Sequence, residues 1–165
     1  MPINKPQFGF TLLEVMVAIV VLSLGLLGLA GLQAASLRNN QTAYYRGIAT
    51  QQAYDMADRL RANLAGVRAG NYNALALGIP ADPGCFTTAA GCSPSTMAAT
   101  DHFQWNTVNA ALLPNGNGTV VCEGGGPGVA CTAATGNRVF NITVTWTERT
   151  EAGSGAQSFI TRVSP

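Results

Sequence analysis

Charge is scarce in this chain. Of its 165 residues only 10% are charged, nine Lys or Arg against eight Asp or Glu, for a net charge of +1. So thin a balance leaves no broad electrostatic footprint for nucleic acid or anionic lipid. Histidine is scarcer still. His102 is the only one, and no Ser/His/Asp or Cys/His arrangement assembles around it. Beside Phe103 and Trp105 on a helix, it reads as a structural histidine, so no catalytic residue, cofactor or metal site is expected. Proline is absent between Pro6 and Pro80, so nothing in that stretch stops a helix. Cysteine is absent before Cys85.

What is there is an apolar run, "FTLLEVMVAIVVLSLGLLGLAGL", from Phe10 to Leu32. Its 23 residues are enough to cross about 30 Å of hydrocarbon as a helix. A cleaved secretory signal would have a shorter core and a small-residue cleavage site. Here Ala30 to Ser36 passes into polar sequence with no turn signal. One carboxylate, Glu14, sits near the start of the run, where a charge in hydrocarbon costs about 3 kcal/mol or more. Either Glu14 snorkels to the interface or it has a partner. Gly25, Gly28 and Gly31 recur every three residues, which suits close helix packing as well as ordinary membrane-helix glycine.

Beyond Leu32 the helical pattern continues. Leu37, Tyr45, Ile48, Gln52, Met56, Leu60 and Leu64 form one moderately apolar stripe, with Arg38, Arg46, Asp55, Asp58 and Arg61 off it. This predicts one helix from about Thr11 to Leu64, with stops at Gly66 or Gly70. Residues 66–94, rich in Gly, Ala, Pro and Asn, read as a connecting loop. A second, short helix is expected from Ser95, its candidate cap, with Met97, Asp101, Trp105, Val108 and Leu112 on its apolar face. "TVVC" reads as a strand. "RVFNITVTWTE" is the clearest strand, Phe140, Ile142, Val144 and Trp146 alternating with polar residues, and "EAGSG" turns it into "QSFITRV". The fold class is therefore α+β, a long helix on a small antiparallel sheet with a second short helix.

The four cysteines, Cys85, Cys92, Cys122 and Cys131, allow three pairings. Local pairing, Cys85 with Cys92 and Cys122 with Cys131, is the simplest because each closes a short loop. A metal site would want tighter spacing such as C-x2-C, so disulfides in an oxidising compartment are favoured. "GGGPG" at Gly124 to Gly128 lacks the following Lys-Ser/Thr of a phosphate loop and reads as a flexible loop between Cys122 and Cys131.

The leader with Lys5 and Gly9, followed by "FTLLE" and the long apolar helix, resembles the type IV pilin signature. The resemblance implies a leader at residues 1–9, a cut between Gly9 and Phe10 by a prepilin peptidase, and N-methylation of Phe10. It also implies that Glu14 is an assembly contact, pairing with the N-terminal amine of a neighbouring subunit. "DMADRLRAN" and "DHFQWNTVNAALLPNGNG" are similar to the minor pilins called type IV pilus modification proteins (PilV-like). On that resemblance residues 10–32 form the membrane and filament-core helix, 33–65 its amphipathic continuation, and 66–165 the head. The implied partners are other minor pilins, the major pilin, the prepilin peptidase and the inner-membrane assembly machinery. The implied location is the inner membrane, as a single-pass chain with a periplasmic head, and then the filament or its tip. Priming of assembly, adhesion, twitching motility and DNA uptake are all open to such a subunit. A type II secretion pseudopilin, which shares the leader, the glutamate and the helix, is the alternative.

Overall fold

The structure, a computed structural model, describes residues 9–87, 91–123, 138–150 and 153–165. It divides into two units, one ending at Gln41 and one running from Thr42 to Pro165. Helix α1 spans Leu12–Ala62. Thr11 caps it: the Glu14 amide lies 3.3 Å from the Thr11 hydroxyl and 3.1 Å from the Thr11 carbonyl. A Thr with Glu three residues on is the capping-box pattern, so the first acidic residue also suits the positive end of the helix.

The helix ends earlier than its periodicity suggests. Asn63 leaves helical geometry at φ −115°, ψ 57° and caps a new short helix, α2 (Leu64–Ala69), by accepting from the Gly66 amide at 3.0 Å. Gly66 is thus inside a helix rather than a stop. Gly70, at φ 84°, is the stop, since a left-handed C-terminal residue is cheapest as glycine. Residues 66–94 are not simply a loop either. They hold the end of α2, a two-residue strand β1 (Ala74–Leu75) and a 3-10 turn at Cys85–Thr87.

Helix α3 runs Pro94–Leu112 and is capped by Ser93, not Ser95. The Ser93 hydroxyl accepts from the Thr96 amide at 3.1 Å, and Pro94 in the first turn gives up no needed donor. Strands β2 (Asn117–Cys122), β3 (Phe140–Thr150) and β4 (Gly153–Val163) complete a sheet of order β1-β2-β3-β4, antiparallel throughout. The hairpin is tighter than "EAGSG" suggests, because Gly153 already pairs with Thr150. The α+β architecture is pilin-like, as expected: α1 and the shorter helices on a small four-stranded antiparallel sheet.

The core lies between the inner face of the sheet, α3, and the part of α1 from Tyr45 to Leu60. Phe140, Ile142, Val144 and Trp146 all point into it, as their alternation requires. The α1 face differs from the expected stripe. Gln52, Met56 and Leu60 are buried and Tyr45 and Ile48 partly so, but Leu37 is 70% exposed and Leu64 40%. The rest of the buried face is Ala49, Ala53 and Ala57, spaced by four, whose small side chains let neighbours approach the helix closely.

Trp105 sits at the centre, fully buried, its indole donating to the Gln52 carbonyl at 2.9 Å. Its ring lies so close to β2 that a β-carbon on Gly118 would come within 2.2 Å of it. Asn106 fastens the same place. Its side chain accepts from the Gly118 amide at 2.7 Å and donates to the carbonyls of Gly118 and Gly78 at 3.1 and 2.9 Å.

Gly118→Ala should therefore destabilise the head by about 1–3 kcal/mol, an overpacking cost with no flexible neighbour to yield. Gly47→Ala on α1, where a β-carbon meets nothing within 4 Å, should be neutral or stabilising. Chemical denaturation of the two variants side by side checks this.

Candidate processing and assembly site

Gly9 and Phe10 precede the first turn of α1, and Glu14 belongs to that turn. A β-carbon at Gly9 would touch nothing within 4 Å, and Phe10 is 85% exposed. Phe10 and Glu14 are one helical turn apart, and with Val15, Ala18, Ile19 and Leu22 they line one shallow apolar groove along the helix. Thr11 fixes the turn between them through its cap. Glu14 is thus the single acidic group on an apolar face that begins at Phe10.

That face belongs to a longer exposed run. From Leu12 (78%) through Val20 (58%) and Leu27 (74%) to Leu32 (71%), the large side chains are open. The helix is long and apolar enough to cross a membrane. Gly25, Gly28 and Gly31 leave the backbone bare, with nothing within 4 Å of where a β-carbon would be.

In the head, Cys85 and Cys92 form a disulfide with Cα atoms 5.3 Å apart, tying the 3-10 turn to the residue before the α3 cap. Cys122 is also disulfide-bonded. Cys131 and Gly124 to Gly128, read from the sequence as a flexible stretch, lie outside the described residues, as do residues 1–8.

The expected apolar face of α3 is buried only in part: Asp101 and Trp105 are buried, but Val108 and Leu112 are 38% and 45% exposed, while Thr100, His102, Asn106 and Asn109, off that face, are buried. These polar groups are held by hydrogen bonds. Tyr72 donates to Asp101 at 2.5 Å, Arg59 reaches Asp101 at 3.0 Å and Asp55 at 2.8 Å, and Asn63 donates to the Tyr72 oxygen at 3.0 Å. Burial, and then the Asp101 carboxylate, hold the Tyr72 hydroxyl well above its ordinary pKa. This cluster joins α1, α3 and the loop after α2. Periodicity could not reveal it, because its members are polar and far apart in sequence.

His102 lies in the same layer, its Nε2 2.9 Å from the Ala76 carbonyl. Burial lowers its pKa, although that hydrogen bond works against the shift. Among the described residues no group of three or more His, Cys, Asp or Glu side chains could hold a metal ion.

A family model described as the prokaryotic N-terminal methylation motif matches residues 4–30. No curated protein and no solved structure matches the chain. The motif supports a type IV pilin-like or pseudopilin-like protein, a class of structural subunits rather than enzymes. It implies processing by a prepilin peptidase and assembly into a pilus or pseudopilus, and with the apolar helix it suggests membrane anchoring.

A testable pH dependence follows from His102. Above about pH 6.5, the ordinary histidine value, the side chain is neutral in both folded and unfolded chains and its contribution to stability is complete. As pH falls through that value the unfolded chain takes the proton first, and the folded state loses ground. Thermal melts of the full chain in detergent should give a lower melting temperature at about pH 5 than at about pH 7.5. His102→Gln should flatten part of that slope; identical slopes in the two proteins would contradict the assignment.

Proposed function

We propose that this chain is a minor type IV pilin, made as a prepilin and drawn into the pilus as a structural subunit. The observation that carries the reading is the methylation motif at residues 4–30 coinciding with an exposed apolar helix that has one acid in its first turn. In this reading residues 1–9 are the leader and the peptidase cuts between Gly9 and Phe10. Phe10 becomes the methylated N-terminus, residues 10–32 pass from membrane to filament core, 33–65 continue the helix and 66–165 form the head. Before assembly the chain sits once across the inner membrane with its head in the periplasm.

Glu14 has a physical task in that sequence of events. The cut would create a cationic amine at Phe10 of every subunit. In an apolar surrounding the amine of one chain and the carboxylate of another attract far more strongly than in water. The pairing would draw an incoming chain to one axial position, because Glu14 is the single acid on its face. Exposed leucines and valines, with the bare backbone at Gly25, Gly28 and Gly31, would supply packing between helices. Its partners are then other minor pilins, the major pilin, the prepilin peptidase and the assembly machinery. "DMADRLRAN" favours the type IV pilus modification proteins over the pseudopilins of type II secretion, where the same motif also occurs.

Glu14→Ala should be inserted and cleaved normally, yet its amount in sheared filaments should fall about tenfold or more, the size of one lost charge-assisted contact. Normal incorporation of the variant would remove the pairing role. Recovery of the chain with a secretion pseudopilus instead of pili would favour the pseudopilin reading.

A further inference from the structure

Among the described residues strand β4 is a free edge of the sheet, with β3 its one neighbour. It pairs with β3 residue for residue from Thr150↔Gly153 to Phe140↔Val163, without a bulge. Long edges are normally blunted by proline, lysine, an inward-pointing charge or a bulge, because their open backbone groups recruit other strands. Gly153–Val163 uses none of these devices. Its one charged residue, Arg162, is engaged with Glu123 at 2.5 Å. The opposite edge, β1, is protected by being two residues long.

A cavity of about 360 Å³ lies against this edge, lined by Arg46 and Thr50 from α1, Trp146 from β3, and Ser158 and Phe159 from β4. Trp146 is 2% exposed, and its buried indole N–H has no hydrogen-bond partner. Buried donors without an acceptor are rare in native proteins. Arg46 is exposed and makes no ion pair among the described residues. The neighbouring inward carboxylate, Glu148, instead accepts from the Thr42 hydroxyl.

We propose that this groove takes an extended, acidic segment of another protein as a fifth strand on β4. The segment's backbone pairs with the open edge, and a carboxylate side chain meets Arg46. A second copy of this chain fits less well: Gly153–Val163 carries an arginine and no acid, so pairing β4 with β4 leaves Arg46 unanswered. The inference goes beyond the pilin reading and does not depend on the leader or on Glu14.

The test places the photo-crosslinker p-benzoylphenylalanine at Ser158, and separately at Thr50 across the groove, in the full chain in cells that make its neighbours. Adducts are mapped to the residue by mass spectrometry. Both labels should mark one Asp- or Glu-bearing extended segment of a different protein. The yield should fall at least tenfold with Arg46→Glu and be retained with Arg46→Lys, while the melting temperature of the head is unchanged. Adducts to β4 of a second copy, adducts to lipid, no adduct from either position, or a yield indifferent to Arg46→Glu would each overturn the proposal.

Discussion

An apolar helical surface must be covered, and in this chain that constraint governs everything upstream of the head. The large apolar side chains from Leu12 to Leu32 are more than half open, except Val15 at 49%. In water such a surface would drive aggregation; in hydrocarbon or against other helices of the same kind it is stable. With one acid and no base among residues 10–32, the surface has a single polar mark. Its position in the first turn, where the Thr11 cap and the positive helix end already favour it, makes the carboxylate tolerable there and conspicuous to a cation.

The head answers a different problem: how a small sheet with many loops holds one arrangement. It does so by close approach and by a few hydrogen-bonded polar clusters. Alanines at 49, 53 and 57 thin one helix face, and Gly118 makes room for Trp105. Asn106 then locks β2 to α3 through three hydrogen bonds. Arg59, Asp101, Tyr72 and Asn63 join the end of α1 to α3. Buried groups of this kind cost little while all are paired and a good deal when one partner is removed, so they specify the fold more than they strengthen it. The Cys85–Cys92 disulfide adds a local restraint just before α3.

Some of this was legible from residue order and some was not, for physical reasons. The alternation in β3 was plain because one face meets the core and the other meets water. Helix α1 was plain because no proline interrupts it. Strand β1 was invisible, since two residues have no period and its pairing with Val120 and Val121 is a tertiary fact. The α3 face was read correctly at Asp101 and Trp105 but not at Val108 and Leu112, because His102, Asn106 and Asn109 are buried by hydrogen bonding, which hydropathy does not register. The reading of Ser95 as the cap failed because Pro94 opens the helix and needs the residue before it, Ser93, to be extended. By contrast the Gly9, Phe10 and Glu14 constellation is contiguous, so it could be recognised without any fold, whereas the Trp146 and Arg46 groove required the fold to bring α1 beside β4.

The central claim is that Phe10, not Met1, begins the working subunit. Intact mass and fragmentation of the protein's N-terminus, in cells with and without the prepilin peptidase, test it most directly. The account predicts a chain starting at a methylated Phe10 when the peptidase is present and retaining residues 1–9 when it is absent. An uncut leader in both, or a cut beyond Leu32, would contradict it.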